Sequence, residues 1–164
     1  MSKEKREIIM EHLKEVRLGA FRRVYDEVLT RCLKATRGPD DFLLELLEQE
    51  VASRRVSALK NRIKAAKFPQ VKDIDTFMFA EASVDEIMVK HLYESEFITD
   101  SKNIVFMGGS GTGKTHLATS IGINFIRKGY KVKFWNLIDI VNELEKEKEQ
   151  GNTGDMMRKM KRFS

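Results

Sequence analysis

The chain has 164 residues, a net charge of +5, 41% hydrophobic residues and 34% charged residues, which is typical of a globular protein with a core of ordinary size. No apolar run approaches the ~20 residues that span a bilayer, and the mixed charges of residues 2–16 are unlike a signal peptide. Because Cys32 is the one cysteine, we expect a reducing, cytoplasmic setting and a buried thiol.

The positive charge is concentrated in the first part of the chain. Residues 1–70 contain 16 lysines and arginines against 11 acids, whereas residues 71–164 contain 14 of each. This asymmetry predicts an anionic partner for the first segment, and nucleic acid fits better than a membrane because no lipidation signal is present. Solvated helix faces without a partner are the alternative interpretation.

Apolar spacing predicts three helices before Pro69, over residues 2–18, 20–36 and 40–67. Gly19 marks the first break, and a glycine, a proline and two acids over residues 38–41 mark the second. We therefore predict a small helical unit at this end of the chain.

The third predicted helix has a basic surface. Between residues 53 and 67 there is no acid, and an apolar stripe formed by Val56, Leu59, Ile63 and Ala66 has basic residues on both sides. We predict that these residues bind DNA phosphates, although solvated charges alone would give the same pattern. They are Arg54, Arg55, Lys60, Arg62, Lys64 and Lys67.

The remainder of the chain alternates between helix and strand signals. Ser83 and Glu86 form a capping box that predicts a helix running to about Phe97. Apolar runs at 104–107 and 131–135 predict two buried strands, separated by a helix over 114–128 that ends at Gly129, and another helix follows from Leu137 or Asp139 to Glu149. Strand, helix and strand in this order predict a βαβ unit with a parallel sheet.

Residues 108–115 match the phosphate-loop pattern G-x-x-x-x-G-K-[ST] at every fixed position. Glycines let successive backbone N–H groups point inward, and the following helix adds its positive end, so the loop predicts a cradle for ATP. We expect Lys114 to reach the β- and γ-phosphates and the Thr115 hydroxyl to be a ligand of Mg²⁺. We interpret His116 as a packing or capping residue beside the motif. The predicted cofactor-binding residues are Gly108, Gly109, Ser110, Gly111, Thr112, Gly113, Lys114, Thr115 and His116.

Hydrolysis of ATP also requires an apolar strand that ends in an acid. Residues 151–164 contain no such run, and Asp139, the nearest candidate, fits the start of a helix better. We therefore predict no catalytic residue, and expect ATP binding with poor or no hydrolysis.

Six segments together resemble the IstB-like ATP-binding proteins: RIKAAKFP (62–69), DIDTFMF (73–79), the helix that begins at Ser83-Val84-Asp85, FITDSKNIVFMGGSGTGKTHLA (97–118), IRKGYKVKFW (126–135) and DIVNELEK (139–146). Proteins of this family are AAA+ ATPases that assist the transposases of insertion sequences, and they are similar to the DnaC helicase loader. The resemblance implies an α/β fold, in which a helical N-terminal domain precedes a P-loop parallel-sheet domain. It also implies binding to double-stranded DNA, oligomers that assemble on DNA, and a transposase as partner.

The sequence departs from this family at two places. Gly109 and Ser110 stand where two prolines commonly occur, which leaves the fixed motif positions intact. The strand ending in Asp-Glu, the sensor residue and the arginine finger of the family are not found. We therefore expect a basic helical domain over residues 1–68, a linker over 69–82, and the first part of an AAA+ domain over 83–164.

Three other functions are compatible with parts of the sequence. A DnaC-like helicase loader would have a replicative helicase as partner. A small P-loop metabolite kinase would need acceptor-binding acids and a basic lid, which we do not locate. A non-catalytic helical interaction module would use the phosphate loop only as a structural turn.

Overall fold

A computed structural model describes residues 3–94, 103–151 and 154–163. The chain divides into two compact units, residues 1–60 and 61–164. The described part is helix-rich, and none of its helices is both long and apolar enough to cross a membrane. Its α-helices are α1 (Lys3–Glu15), α2 (Gly19–Lys34), α3 (Pro39–Ala66), α4 (Glu86–Glu94), α5 (Lys114–Arg127), α6 (Leu137–Glu149) and α7 (Asp155–Lys161), and short 3₁₀ turns lie at Ile74–Thr76 and Phe79–Glu81.

The first unit has a core made by helices α1, α2 and α3. The three helices predicted from apolar spacing are confirmed within a few residues of their predicted ends. The ring of Tyr25 packs edge-on against Phe42, with 5.4 Å between ring centroids. Cys32 is 3% exposed, which confirms a buried thiol. The buried residues of this core are Leu13, Phe21, Tyr25, Val28, Cys32 and Leu46.

A buried carboxylate fixes the start of α2. Glu50 is 6% exposed, and its Oε2 accepts hydrogen bonds from the backbone N–H groups of Ala20 (2.8 Å) and Phe21 (3.1 Å). The N-cap residue, Leu18, has no side-chain hydrogen bond to the backbone N–H groups at the start of α2. Arg54 Nε donates to the other carboxylate oxygen at 2.8 Å. Bonding to Arg54, together with the two backbone N–H groups, lowers the pKa of Glu50 despite its burial.

The second unit is organised around α5, which is buried along most of its length. Helix α4 packs against α5, and α6 packs against α7. The predicted helix over 114–128 is confirmed, and Gly129 follows its end with a φ of 100°. Helix α6 begins after Asn136, whose side chain accepts the N–H of Ile138 at 2.9 Å. The buried apolar residues of α5 are Leu117, Ile121, Ile123, Phe125 and Ile126.

The two predicted strands are not formed in the part of the chain that the structure describes. Residues 103–109 and 130–136 have no regular secondary structure, so the predicted βαβ unit and its parallel sheet are not confirmed. A parallel strand is stable only when a neighbouring strand accepts its ladder of hydrogen bonds. Here the N–H of Phe134 donates to the Ala66 carbonyl at 2.8 Å instead, and Lys133 Nζ donates to the Ala65 carbonyl at 2.9 Å. The segment therefore satisfies the last carbonyls of α3.

The predicted capping box before α4 is wrong. Helix α4 begins at Glu86, and Asp85 Oδ1 accepts the backbone N–H groups of Ile87 (2.8 Å) and Met88 (3.1 Å). A carboxylate directly before the helix can take two of its unpaired N–H groups, so Asp85 caps α4 in place of Ser83. The predicted extension of this helix beyond Glu94 lies outside the described residues.

Candidate phosphate-binding loop and basic helix

The candidate phosphate loop is an exposed turn that leads directly into α5. Gly108 and Gly113 have φ angles of 154° and 83°, which side chains with a Cβ rarely adopt. Thr112 Oγ1 donates to the Gly109 carbonyl at 3.0 Å, which closes the turn. Lys114 Nζ donates to the same carbonyl and to Thr112 Oγ1 (3.3 Å), so its ammonium group lies over the loop. The loop and the first turn of α5 therefore bring a cation and backbone N–H groups to one place.

Two glycines of this loop allow a neighbouring side chain to approach the backbone closely. A Cβ on Gly108 would lie 3.1 Å from Thr112 Oγ1. A Cβ on Gly113 would lie 2.4 Å from Cε2 of Phe77 and 3.0 Å from its Cζ. The absence of a Cβ therefore lets Phe77 pack on position 113 and lets the Thr112 side chain approach position 108.

His116 joins the start of α5 to the segment before the loop. Its Nε2 donates to the carbonyl oxygen of Asp73 at 2.9 Å and lies 3.2 Å from Thr76 Oγ1. Its ring contacts Phe77 edge-on, with 5.2 Å between centroids. These contacts agree with the interpretation of His116 as a packing residue.

An ion pair ties the same segment to the other end of α5. Arg127 donates to Asp73 Oδ2 at 2.7 Å, and the guanidinium holds the pKa of this carboxyl below its ordinary value. Asp73 therefore contacts α5 at both ends, through its backbone carbonyl to His116 and through its side chain to Arg127. This arrangement fixes the aromatic segment 73–79 beside the loop.

The residues present fit a nucleotide better than they fit a metal alone. The Thr115 side chain is exposed in the first turn of α5, so its hydroxyl fits one ligand of Mg²⁺ whose other ligands are phosphate oxygens and waters. Across the described ranges, no group of three or more His, Cys, Asp and Glu side chains is arranged to hold a metal ion.

All six basic residues predicted on the third helix are exposed. Arg54 differs from the others because it holds Glu50 and also donates to the Arg17 carbonyl at 3.2 Å. The predicted apolar stripe between them is only partly buried, since Val56 is 54% exposed while Ala66 is fully buried. Five residues therefore have their charge available to a partner: Arg55, Lys60, Arg62, Lys64 and Lys67.

A cleft of about 520 Å³ lies beside the last of these residues. Lys67 and Lys133 both line it, with Trp135 and Lys146. Burial and the nearby charge of Lys67 lower the pKa of Lys133, whose Nζ lies 5.5 Å from the centre of the Trp135 ring. Asp139 and Glu143 also line the cleft, so its lysines already have anionic neighbours within the chain.

The structure brings together most of the predicted phosphate-loop residues and adds others. The motif identifies residues 108–115, but it gives no indication that Phe77, Asp73 and Arg127 support them. A glycine at position 113 signals a backbone with positive φ, yet the ring that packs on it lies 36 residues earlier in the chain. No pattern near Gly113 in the sequence indicates this contact.

Comparison with known proteins places the chain in a family. The family described as IstB-like ATP binding protein matches residues 11–164. A Geobacillus stearothermophilus protein of insertion sequence IS5376, named for ATP binding, is 41% identical over 119 residues, which cover 72% of this chain and 47% of that protein.

Two other relatives also come from insertion sequences and are named for ATP binding. The IS21 protein of Pseudomonas aeruginosa is 29% identical over 88% of this chain and 54% of its own length. The IS232 protein of Bacillus thuringiensis is 33% identical over 66% of this chain and 44% of its own length. The chain thus spans about half the length of the curated relatives it matches. On these matches, the chain belongs to the family of IstB-like ATP-binding proteins.

Proposed function

We propose that this chain binds ATP through residues 108–116. The observation that carries the proposal is the loop itself, in which glycines at positive φ lead into the N-terminus of α5 and Lys114 lies over the turn. A helix N-terminus and inward N–H groups attract phosphate oxygens. Lys114 would contact the β- and γ-phosphates, and the Thr115 hydroxyl would hold Mg²⁺, which neutralises phosphate charge when bound. The names of the relatives agree with this proposal.

We further infer that the chain by itself binds ATP with poor or no hydrolysis. Asp139 is the acid that the sequence offered as a metal ligand. It lies in the first turn of α6, three residues after the N-cap residue Asn136. An acid in that position stabilises the helix by its interaction with the helix dipole. This local role accounts for Asp139 without catalysis.

A titration with a fluorescent ATP analogue in the presence of Mg²⁺ tests the binding proposal. We expect Lys114→Ala to weaken binding about ten-fold or more, because it removes a charge-assisted hydrogen bond to phosphate. Lys131→Ala is the matched control, since Lys131 is an exposed lysine beyond the end of α5. Equal affinity of all three proteins would contradict ATP binding through this loop.

We also propose that the basic residues of α3 bind double-stranded DNA. On this proposal the chain acts in the cytoplasm, within an oligomer assembled on DNA, and assists a transposase there. The exposure of these residues and their lack of acidic neighbours between positions 53 and 67 support DNA binding. The origin of the relatives in insertion sequences supports a role in transposition. On this proposal residues 1–68 contact DNA or a partner, residues 69–82 are a linker, and residues 83–164 carry the nucleotide.

A further inference from the structure

Three residues of the phosphate loop carry a hydroxyl group: Ser110, Thr112 and Thr115. Thr112 Oγ1 donates to the Gly109 carbonyl at 3.0 Å and accepts a hydrogen bond from Lys114 Nζ at 3.3 Å. Because a hydroxyl has one proton to donate, the proton of Thr112 is already used inside the loop. Thr115 is the proposed ligand of Mg²⁺, which binds the lone pairs of its oxygen.

Ser110 is the loop residue whose hydroxyl proton is not yet used. Its side chain is exposed, and its hydroxyl forms no hydrogen bond with any residue in the ranges 3–94, 103–151 and 154–163. The loop therefore holds the Thr112 hydroxyl for its own structure and leaves the Ser110 hydroxyl to a ligand.

The position of Lys114 indicates which phosphate comes nearest to Ser110. Lys114 Nζ donates to the Gly109 carbonyl, whose carbon is bonded to the backbone nitrogen of Ser110. The lysine of a phosphate loop contacts the β- and γ-phosphates, whereas the backbone N–H groups hold the α- and β-phosphates. The phosphate that only the lysine reaches is therefore the γ-phosphate. Since the lysine lies at Gly109, the γ-phosphate comes beside Ser110.

We propose that the Ser110 hydroxyl donates a hydrogen bond to an oxygen of the γ-phosphate and thereby gives the chain a preference for ATP over ADP. The proposal rests on the proposed binding of ATP through residues 108–116. ADP ends at the β-phosphate, so it offers this hydroxyl no acceptor. Hydrogen bonds to charged oxygens are stronger than those between neutral groups, and one such bond gives a preference of about ten-fold. The preference arises on binding and requires no hydrolysis.

Titrations of the unchanged chain and of Ser110→Ala with ATP and with ADP, each with Mg²⁺, test the hydrogen bond. Ser110→Ala should raise the dissociation constant for ATP about ten-fold and should change that for ADP by less than about two-fold. Alanine fits the position, because Ser110 is not among the residues with a positive φ. Equal changes for the two nucleotides, or no change for either, overturn the proposal.

Two further variants separate the hydroxyl from other effects of substitution. Ser110→Thr keeps a hydroxyl and should keep the preference for ATP within about two-fold of that of the unchanged chain. Ser83→Ala is the matched control, since Ser83 is an exposed serine of the same unit outside the loop, and it should change neither dissociation constant. A loss of preference in Ser110→Thr as large as in Ser110→Ala, or an equal loss in Ser83→Ala, overturns the role of the hydroxyl.

Lys114→Ala distinguishes failure of this inference from failure of the proposed function. If Lys114→Ala weakens ATP binding while Ser110→Ala keeps the preference for ATP, the loop binds ATP and the role of Ser110 alone is overturned. If the unchanged chain binds neither nucleotide, the proposed function and the role of Ser110 are both overturned.

Discussion

Phe77 packs its ring so closely on Gly113 that a Cβ at position 113 would lie 2.4 Å from Phe77 Cε2. Gly113 is also the residue before α5 and has a φ of 83°. The segment before the phosphate loop therefore sets the position of the helix N-terminus that points at the loop. Its own position is fixed by Asp73, which contacts His116 and Arg127.

Gly113→Ala should lower the free energy of unfolding by about 2–4 kcal/mol and abolish ATP binding, because it adds both positive-φ strain and a clash with Phe77. Thermal unfolding and nucleotide titration measure the two effects. Gly129→Ala is the control, since Gly129 has a φ of 100° but no atom within 4 Å of its added Cβ. That variant should lose about 1 kcal/mol and keep its ATP affinity. Equal losses in the two variants would contradict a specific role for the Phe77 contact.

Glu50→Gln should destabilise the protein by about 1–2 kcal/mol, because the buried carboxylate accepts two backbone N–H groups of α2 and bonds to Arg54. Denaturant unfolding followed by circular dichroism gives the value. Glu11→Gln serves as control, since Glu11 is exposed on α1. A loss no larger than that of the control would argue against Glu50 as the cap of α2.

The same carboxylate gives a defined pH dependence. Its folded-state pKa is lowered, so its stabilising contribution is complete above the unfolded-state pKa of about 4.3 and is lost as the pH falls through the lower folded value. The unchanged protein should therefore lose more stability between pH 6 and pH 3 than Glu50→Gln does. Parallel pH profiles for the two proteins would contradict this assignment.

Local sequence signals predicted those features whose causes lie within a few residues. Apolar spacing is a property of the helix that carries it, so α1, α2, α3, α5 and α6 were predictable. The phosphate-loop motif is likewise contiguous, so residues 108–115 could be found without a structure.

Features that depend on distant residues could not be predicted in this way. A strand needs a neighbouring strand, and the 131–135 segment bonds instead to the end of α3, whose carbonyls lie more than 60 residues earlier. Glu50 caps N–H groups about 30 positions away, and no local pattern marks it as a cap. Asp85 replaced Ser83 at α4 because the helix begins later than the capping-box pattern indicated.

Neutralising three basic residues of α3 tests DNA binding. A variant with Arg62→Gln, Lys64→Gln and Lys67→Gln should bind duplex DNA more weakly, and the slope of its salt dependence should fall by about 0.9 for each DNA phosphate that it no longer neutralises. Arg54 is left unchanged because it holds Glu50. The control neutralises Lys3, Lys5 and Lys14 of α1. An unchanged slope in the α3 variant would refute this surface as the one that binds phosphates.

The central claim is that residues 108–116 hold the phosphates of ATP. Hydrogen exchange measured by mass spectrometry, with Mg²⁺ and with ATP near the dissociation constant of the unchanged chain, tests it most directly. We expect ATP to slow exchange of the backbone amides at 109–116 in the unchanged chain, because bound phosphate oxygens accept these N–H groups, and to slow it far less in Lys114→Ala. No protection at these amides, or equal protection in both proteins, would contradict the claim.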